Sequence, residues 1–584
     1  MSTTTPPKAS ATGSVPGAPP PRGLQPQRIL HNPWLHNGIG AAAVLAAMAP
    51  LLVLAGIVIH RKPRVDLVAD QALVQLTAIN AGHHAQLLGP YSRFGWHHPG
   101  PSWFYILDGA FLPLGSHGWS LLAATLLLHA VVAAAMVLVV WRWRGAVAAV
   151  LAALLVLVFL RTLGGDILIN PWNPYAIVLP TALLLLLAGA TATGSAISFA
   201  GLLLVASFVV QTHVSTVPAV GLAVIVAAVL GVAAARRRQR DDLEPYIVAS
   251  ARRRDLGERL HLCGGVLLVL LLALMWIPPA LEQVNDRPGN LRAIVDFFRH
   301  HGGDHSLAEG IGAAGRNLTA FPFGSYDQDL GLHLGSGQVR YGVALGLFLV
   351  ACAALIWLAS RAGDGMARGI GAACLVAALA ATWSVTRITG PVDAYLLTWV
   401  TALPLALAAG YAALLAAPGR IAALAARAGS RGVQAWRAAG PLLAAVAAAC
   451  TIGVLAGQTG ADAAVSPQGQ APYWAAPTDD LVSLAVSHLP GGTVRISTDP
   501  FPAWPVATAL TVRLVQDGRR VVVPDQWVAL WGDQFAAGPG TRTAVEVLVR
   551  STAQSTLPAP PPGAQPVASV PGVDIFVIGA AGGG

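Results

Sequence analysis

The sequence predicts an α-helical polytopic membrane protein that ends in a small α/β domain. Three observations carry that expectation. Of 584 residues, 55% are hydrophobic and only 11% charged, with a mean hydropathy of +0.61, a balance outside the range of soluble globular chains. Apolar runs long enough to cross ~30 Å of hydrocarbon at ~1.5 Å per residue recur from residue 38 to residue 457. After residue 458 they stop, and short segments with the periods of strands and helices replace them.

Residues 1–37, rich in Pro, Ser, Thr and Gly and without an apolar signal core, read as a disordered cytoplasmic tail. The membrane domain is 38–457, and its first span serves as an uncleaved signal anchor. About eleven spans are expected by length and apolarity, at 38–59, 118–141, 146–160, 174–190, 195–210, 214–235, 264–281, 341–360, 369–386, 394–416 and 440–457. The segment 101–114 is also apolar, but as a helix it reaches only ~21 Å, too short to cross. It is therefore placed in the interface.

That placement decides the topology. With 101–114 in the interface, Arg142 and Arg144, the eight arginines of 236–259, Arg361 and Arg368, and the arginines of 420–437 all fall on the cytoplasmic side. Arg61, Lys62 and Arg64 are the minority outside. Two long loops, 60–117 and 282–340, then face the extracytoplasmic side together with everything after 458. This is the arrangement of a multi-pass protein of the cytoplasmic (inner or plasma) membrane.

In the extracytoplasmic domain, 458–584, helices are expected at DDLVSLAVSHL and WPVATALTVRLVQDG, and strands at GTVRIST, RVVVP, AVEVLV and VDIFVIG. It holds no phosphate loop, nucleophile elbow or metal cluster, so a structural or substrate-guiding role is expected. The formal charge of +9 does not point to nucleic acid, because the arginines sit in short loops between apolar runs. Cys263, Cys352, Cys374 and Cys450 all lie within apolar runs, which excludes a disulfide or zinc framework.

The chemistry-bearing residues gather just past the first span. Asp66 and Asp70 are four apart, so a helix sets both on one face near the membrane surface, where a shielded carboxylate can take a proton from a hydroxyl. A dense turn follows, GPYSRFGWHHPGP at 89–101, in which Arg93, His97 and His98 supply hydrogen-bonding groups. Solvation in a loop is the plainer reading of the two aspartates taken alone.

An acidic external loop followed by a His-Pro turn, a juxtamembrane helix and a span ending in a basic cytoplasmic turn resembles the GT-C membrane glycosyltransferases. The similarity is to the protein O-mannosyltransferase and aminoarabinose transferase branches, with Asp70-Gln71 at the Asp-Glu position and His98-Pro99-Gly100-Pro101 at His-Pro-Pro. It covers about residues 38–145 by motif and extends to about 457 by layout. The resemblance implies a sugar donor on polyprenyl phosphate, an inverting transfer, and Asp70 as the base, with Asp66 as second candidate and His98 near the donor phosphate or acceptor. Gln71 departs from the pattern and weakens a paired-carboxylate or metal arrangement. No cofactor is otherwise implied, and a divalent metal stays the alternative.

Further polar residues expected on the same face are Asn173, His213, Gln283, Arg287 and Arg387, of which either Arg287 or Arg387 can hold a lipid phosphate. The partners expected are the lipid bilayer, the polyprenyl-phosphate sugar and a cell-envelope glycan, lipid or protein. Two other functions remain: a transporter or flippase of envelope lipids or glycans, or a non-catalytic assembly protein. Polar residues on one face and the absence of internal repeats argue against transport. The topology makes a direct prediction: reporter fusions at residues 250 and 520 should report opposite sides of the membrane, and the same side for both would refute it.

Overall fold

Lipid offers no partner for a backbone N–H or C=O, so an apolar run that crosses it must satisfy these groups within itself, as a helix does. The computed structural model describes residues 33–83, 85–241, 251–322, 338–417, 478–499, 503–552, 559–570 and 572–579. The span expected at 440–457, the arginines of 420–437 and most of the N-terminal tail lie outside the described residues. Among the described residues nine helices are long and apolar enough to cross a membrane: Asn37–Arg61, Gly118–Arg144, Ala146–Leu163, Asn173–Thr191, Val214–Arg238, Cys263–Asn285, Val339–Arg361, Gly365–Val385 and Ala394–Leu415. Each coincides with an expected span. The remaining expected span, 195–210, is the apolar helix Ala196–Thr212, 17 residues long.

These helices pack through small residues. A Cβ on Gly369 would meet the Ala192 Cβ at 2.4 Å and the Gly189 Cα at 3.0 Å, so the two backbones approach too closely for any larger side chain. The Cys263–Asn285 helix is the opposite case. Leu267, Leu270 and Leu274 are exposed along it, as expected of a helix whose outer face meets lipid.

The two ends of the bundle differ in kind. At one end Arg144 closes the Gly118–Arg144 helix and pairs with Asp364, whose carboxylate also accepts from Ala367 N (3.0 Å) and so caps the Gly365–Val385 helix. Arg142 and Arg361 belong to this end. At the other end lie the helices Ala69–Ala81, Ser102–Phe111 and Asn290–His300. The Ser102–Phe111 helix buries Trp103, Phe104, Leu107 and Phe111 and exposes Tyr105 and Ile106. With 10 residues it is ~15 Å long, too short to span.

The C-terminal domain is a five-stranded sheet, β1 (Val494–Asp499), β2 (Val521–Val522), β3 (Val545–Ser551), β4 (Ala564–Val570) and β5 (Val573–Gly579), in the order β2-β1-β3-β5-β4. β1 runs parallel to β2 and β3, whereas β5 is antiparallel to β3 and β4. Between β1 and β2 the helix Trp504–Gln516 buries Val506, Leu510 and Leu514. β4 was not expected from the sequence. Pro566 interrupts its alternation, and the strand tolerates it because it lies at the sheet edge, with a register shift between Pro566 and Ala568.

This domain sits on the Ala69–Ala81 end of the bundle. Arg513 Nη2 lies 2.9 Å from both oxygens of Asp66, whose side chain is 8% exposed. Gln516 and Gln75 both donate to the Ser116 carbonyl, at 2.8 and 3.2 Å. Asp66 is shielded but Arg513 is about one-third exposed, so losing the pair costs less than the about 3–5 kcal/mol of a fully buried one and more than a screened surface contact. Arg513→Gln should therefore lower the thermal unfolding temperature of the detergent-solubilised protein, and Asp66→Leu with Arg513→Leu should recover most of the loss. An Arg513→Gln effect under ~1 kcal/mol would make the pair an ordinary screened surface contact.

Candidate active site

The 89–101 turn is built by close contact. Ser92 N donates to Trp96 O (2.9 Å) and His98 N to Pro90 O (2.8 Å), folding the segment into a small hairpin with Gly95 at φ +82°. A Cβ at Gly100 would stand 2.4 Å from Gln211 Oε1, and Gly100 N donates to the Gln211 carbonyl at 3.3 Å. The turn is thus pressed onto the end of the Ala196–Thr212 helix, with no room for a side chain at Gly100.

On the other flank, Asn290 clamps the backbone of His97. Its Oδ1 accepts from His97 N (2.8 Å) and its Nδ2 donates to His97 O (2.9 Å). Asn290 opens the Asn290–His300 helix, whose first amides are satisfied by Glu282 Oε1, accepting from Asn290 N (2.7 Å), and Gln283 Oε1, accepting from Leu291 N (3.0 Å). Gln283 therefore caps a helix instead of reaching into a cleft.

Two cavities meet behind this turn. The larger, about 1150 Å³, is lined by apolar and aromatic side chains, among them Phe94, Trp96, Trp276, Phe297 and Trp527, together with Arg93, Arg299 and Arg387. The smaller, about 290 Å³, is mixed in character, more polar than the first, and includes Glu282, Asp286, Asn80, Gln86, His97 and Asp533. Asp70, Tyr91, Asn173 and Leu530 line both, so they form the neck between them.

Asp70 opens the Ala69–Ala81 helix directly after Ala69, whose φ of +53° is an uncommon left-handed conformation for a residue with a Cβ. Among the described residues its carboxylate has no hydrogen-bond partner. Burial away from bulk water pushes its pKa up to about 6, since a charge is poorly solvated there. A carboxylate of that pKa is ionised at neutral pH and still basic enough to accept a proton.

The two histidines of the turn are held neutral by burial. His97 is lowered to about 4, partly offset by a hydrogen bond to the Ala529 backbone, and His98 lies well below its ordinary value through burial and the nearby His213 and His97. His213 is also lowered to about 4 by burial. His98 and His213 stack with ring centroids 4.7 Å apart. Val214 N donates to His98 Nδ1 at 3.2 Å, so the neutral ring carries its hydrogen on Nε2.

The structure thus brings Asp70, Arg93, His97, His98, Asn173, His213 and Arg387 to the two cavities and leaves three expected residues outside them. Asp66 is engaged by Arg513 of the C-terminal domain, Gln283 caps a helix, and Arg287 is exposed and lines neither cavity. Within the larger cavity Arg93 pairs with Asp393 and donates to Pro391 O (2.7 Å). Arg387 donates to the carbonyls of Phe298 (3.1 Å) and His301 (3.3 Å) and has no ion pair among the described residues. Asn173 Nδ2 donates to Thr212 O at 3.1 Å.

Sequence reading missed Arg299, which lines the larger cavity from the Asn290–His300 helix, and the Asp525–Trp531 helix, which walls both cavities with Trp527 and Leu530. The polar and apolar faces of Asn290–His300 were a visible signal. For Asp525–Trp531 none existed, because the bundle residues that share its cavities are all more than 120 residues away in the chain. Among the described residues no group of three or more His, Cys, Asp or Glu is placed to hold a metal ion.

No protein-family model matches the chain, and no curated protein matches it in sequence. Solved structures do match. The crystal structure of ArnT from Cupriavidus metallidurans bound to undecaprenyl phosphate aligns with a TM-score of 0.51 at 13% identity, covering 92% of this chain and 98% of that one. The apo state of the same protein aligns at 0.49 and 14% identity, with the same coverage. The chain therefore has the GT-C membrane fold that its acidic loop and His-Pro turn resemble.

Proposed function

We propose that the protein is a glycosyltransferase that moves a sugar from a polyprenyl-phosphate donor to a cell-envelope acceptor on the extracytoplasmic face of the cytoplasmic membrane. The observation that carries the reading is Asp70, a carboxylate without a hydrogen-bond partner among the described residues, at the neck between an apolar, arginine-bearing cavity and a carboxylate-bearing one. The undecaprenyl phosphate bound to ArnT, a protein of the same fold, supports a lipid-phosphate donor. The concentration of arginines at the end of the bundle away from Asp70 supports the outward orientation of the site.

In this reading the isoprenoid lies in the larger cavity among Trp96, Trp276, Phe297 and Trp527. Its phosphate meets Arg387 and Arg299, the two arginines there without an ion-pair partner among the described residues, and the Nε2 hydrogen of His98 is a further donor. The acceptor hydroxyl enters from the smaller cavity. Asp70 takes its proton as the hydroxyl oxygen bonds to the anomeric carbon and the bond from that carbon to the phosphate oxygen breaks. The electron pair leaves on the phosphate, where the arginines stabilise it. Attack from the face opposite the phosphate inverts the anomeric centre.

Asp70→Asn keeps the shape of the side chain but cannot accept the proton, so transfer should fall by about 10²–10⁴. The folded protein should persist with an unfolding temperature no lower than before, because the variant removes a poorly solvated charge. The base must be ionised to act, so the rate should rise as pH passes through about 6 and level off above it. Full activity in the Asn variant would refute the assignment.

Donor choice gives a second measurement. Purified protein supplied separately with a polyprenyl-phosphate sugar and with a nucleotide sugar should use only the first, because no nucleotide-binding motif occurs in the sequence. Transfer from the nucleotide sugar alone would overturn both donor and topology.

A further inference from the structure

The two cavities differ in charge as well as in polarity. The larger carries Arg93, Arg299 and Arg387 against the single carboxylate of Asp70. The smaller carries four carboxylates, Asp70, Glu282, Asp286 and Asp533, and no arginine or lysine among its lining residues. His97, the histidine there, is half-buried, and desolvation lowers its pKa to about 4, so it adds no positive charge at neutral pH. No three of the carboxylates converge on a point that a metal ion could occupy.

The lining chemistry suits hydroxyl and ammonium groups. Carboxylates accept hydrogen bonds and cannot donate them when ionised. Glu282 spends one oxygen on Asn290 N and keeps its second; Asp70 keeps both. At about 290 Å³ the cavity lies just below the ~300–1,000 Å³ range of small-molecule sites, room for a terminal sugar-sized group but not a lipid tail. Asp70 is half-buried and, like the exposed Asp286 and Asp533, has no side-chain hydrogen-bond partner among the described residues, so three carboxylates here are left to meet an incoming donor.

Taking the transferase reading as its premise, we infer that the smaller cavity is the acceptor subsite, that it selects an uncharged or amino-bearing sugar terminus and rejects a phosphorylated one, and that the C-terminal domain sets this selection through residues 528–534. The domain supplies Asp533, and Val528, Ala529, Leu530 and Trp531 close one wall. A phosphate entering the cavity meets like charges and finds no cation, which opposes binding by repulsion and by desolvation without compensation.

The test measures binding without turnover. Full-length protein in detergent at pH 7 is titrated with a methyl hexoside, its 2-amino analogue and its 6-phosphate, followed by saturation-transfer NMR. The neutral and amino glycosides should bind at least about tenfold more tightly than the phosphate ester. Asp286→Lys with Asp533→Lys alters two exposed side chains and should narrow that ratio at least about threefold. Ala529→Trp, which places an indole against the cavity, should weaken all three ligands while the thermal unfolding temperature shows that the protein remains folded. Equal or tighter binding of the phosphate ester, a ratio indifferent to the charge reversal, or no binding of any glycoside would overturn the inference. Failure of the transferase reading shows elsewhere, as absence of turnover of the polyprenyl-phosphate sugar.

Discussion

Arg513 reaches from the C-terminal domain to the loop after the first span and sets one guanidinium nitrogen 2.9 Å from both oxygens of Asp66. Four residues later in the chain comes Asp70. The contact that docks the domain therefore also anchors the segment that presents the candidate base. Docking brings the Asp525–Trp531 helix over the neck, where Leu530 touches both cavities and the Ala529 backbone bonds the His97 ring. Without the docked domain the smaller cavity would lose one wall, and Asp70 would regain the water whose exclusion raises its pKa.

Burial gives neighbouring groups opposite protonation habits. Desolvation penalises whichever form is charged, so it holds His97, His98 and His213 neutral while making Asp70 a stronger base. The neutral His98 can then accept from Val214 N and still offer a hydrogen from Nε2. A charged ring could not accept that bond, and the 4.7 Å stack of His98 on His213 would bring two cations together.

The separation of charge between the cavities has a physical consequence for any group transfer at the neck. Charges act more strongly in a site screened from water. Arginines on one side favour an anion that gains charge as it leaves, whereas carboxylates on the other favour a group that gives up a proton. Arg93 is less available for the first task because Asp393 already neutralises it.

The membrane character, the positions of the described membrane-spanning helices and the clustering of polar candidates at 66–101 were legible in the sequence, because apolar run length and turn chemistry are local properties. Four strands of the C-terminal sheet were legible for the same reason, and β4 was not, since Pro566 breaks its pattern and only pairing with β5 defines it. Asp70 ranks above Asp66 by the family resemblance, not by the residues themselves. On spacing the two carboxylates are equivalent; the fold places Arg513, 447 residues from Asp66, against one and leaves the other facing the cavities. Arg287 and Arg387 were likewise equal as loop arginines until packing left the first exposed and the second in the larger cavity. Local sequence determines which residues can do the chemistry; which of them do depends on partners brought from far along the chain, and only tertiary packing supplies those.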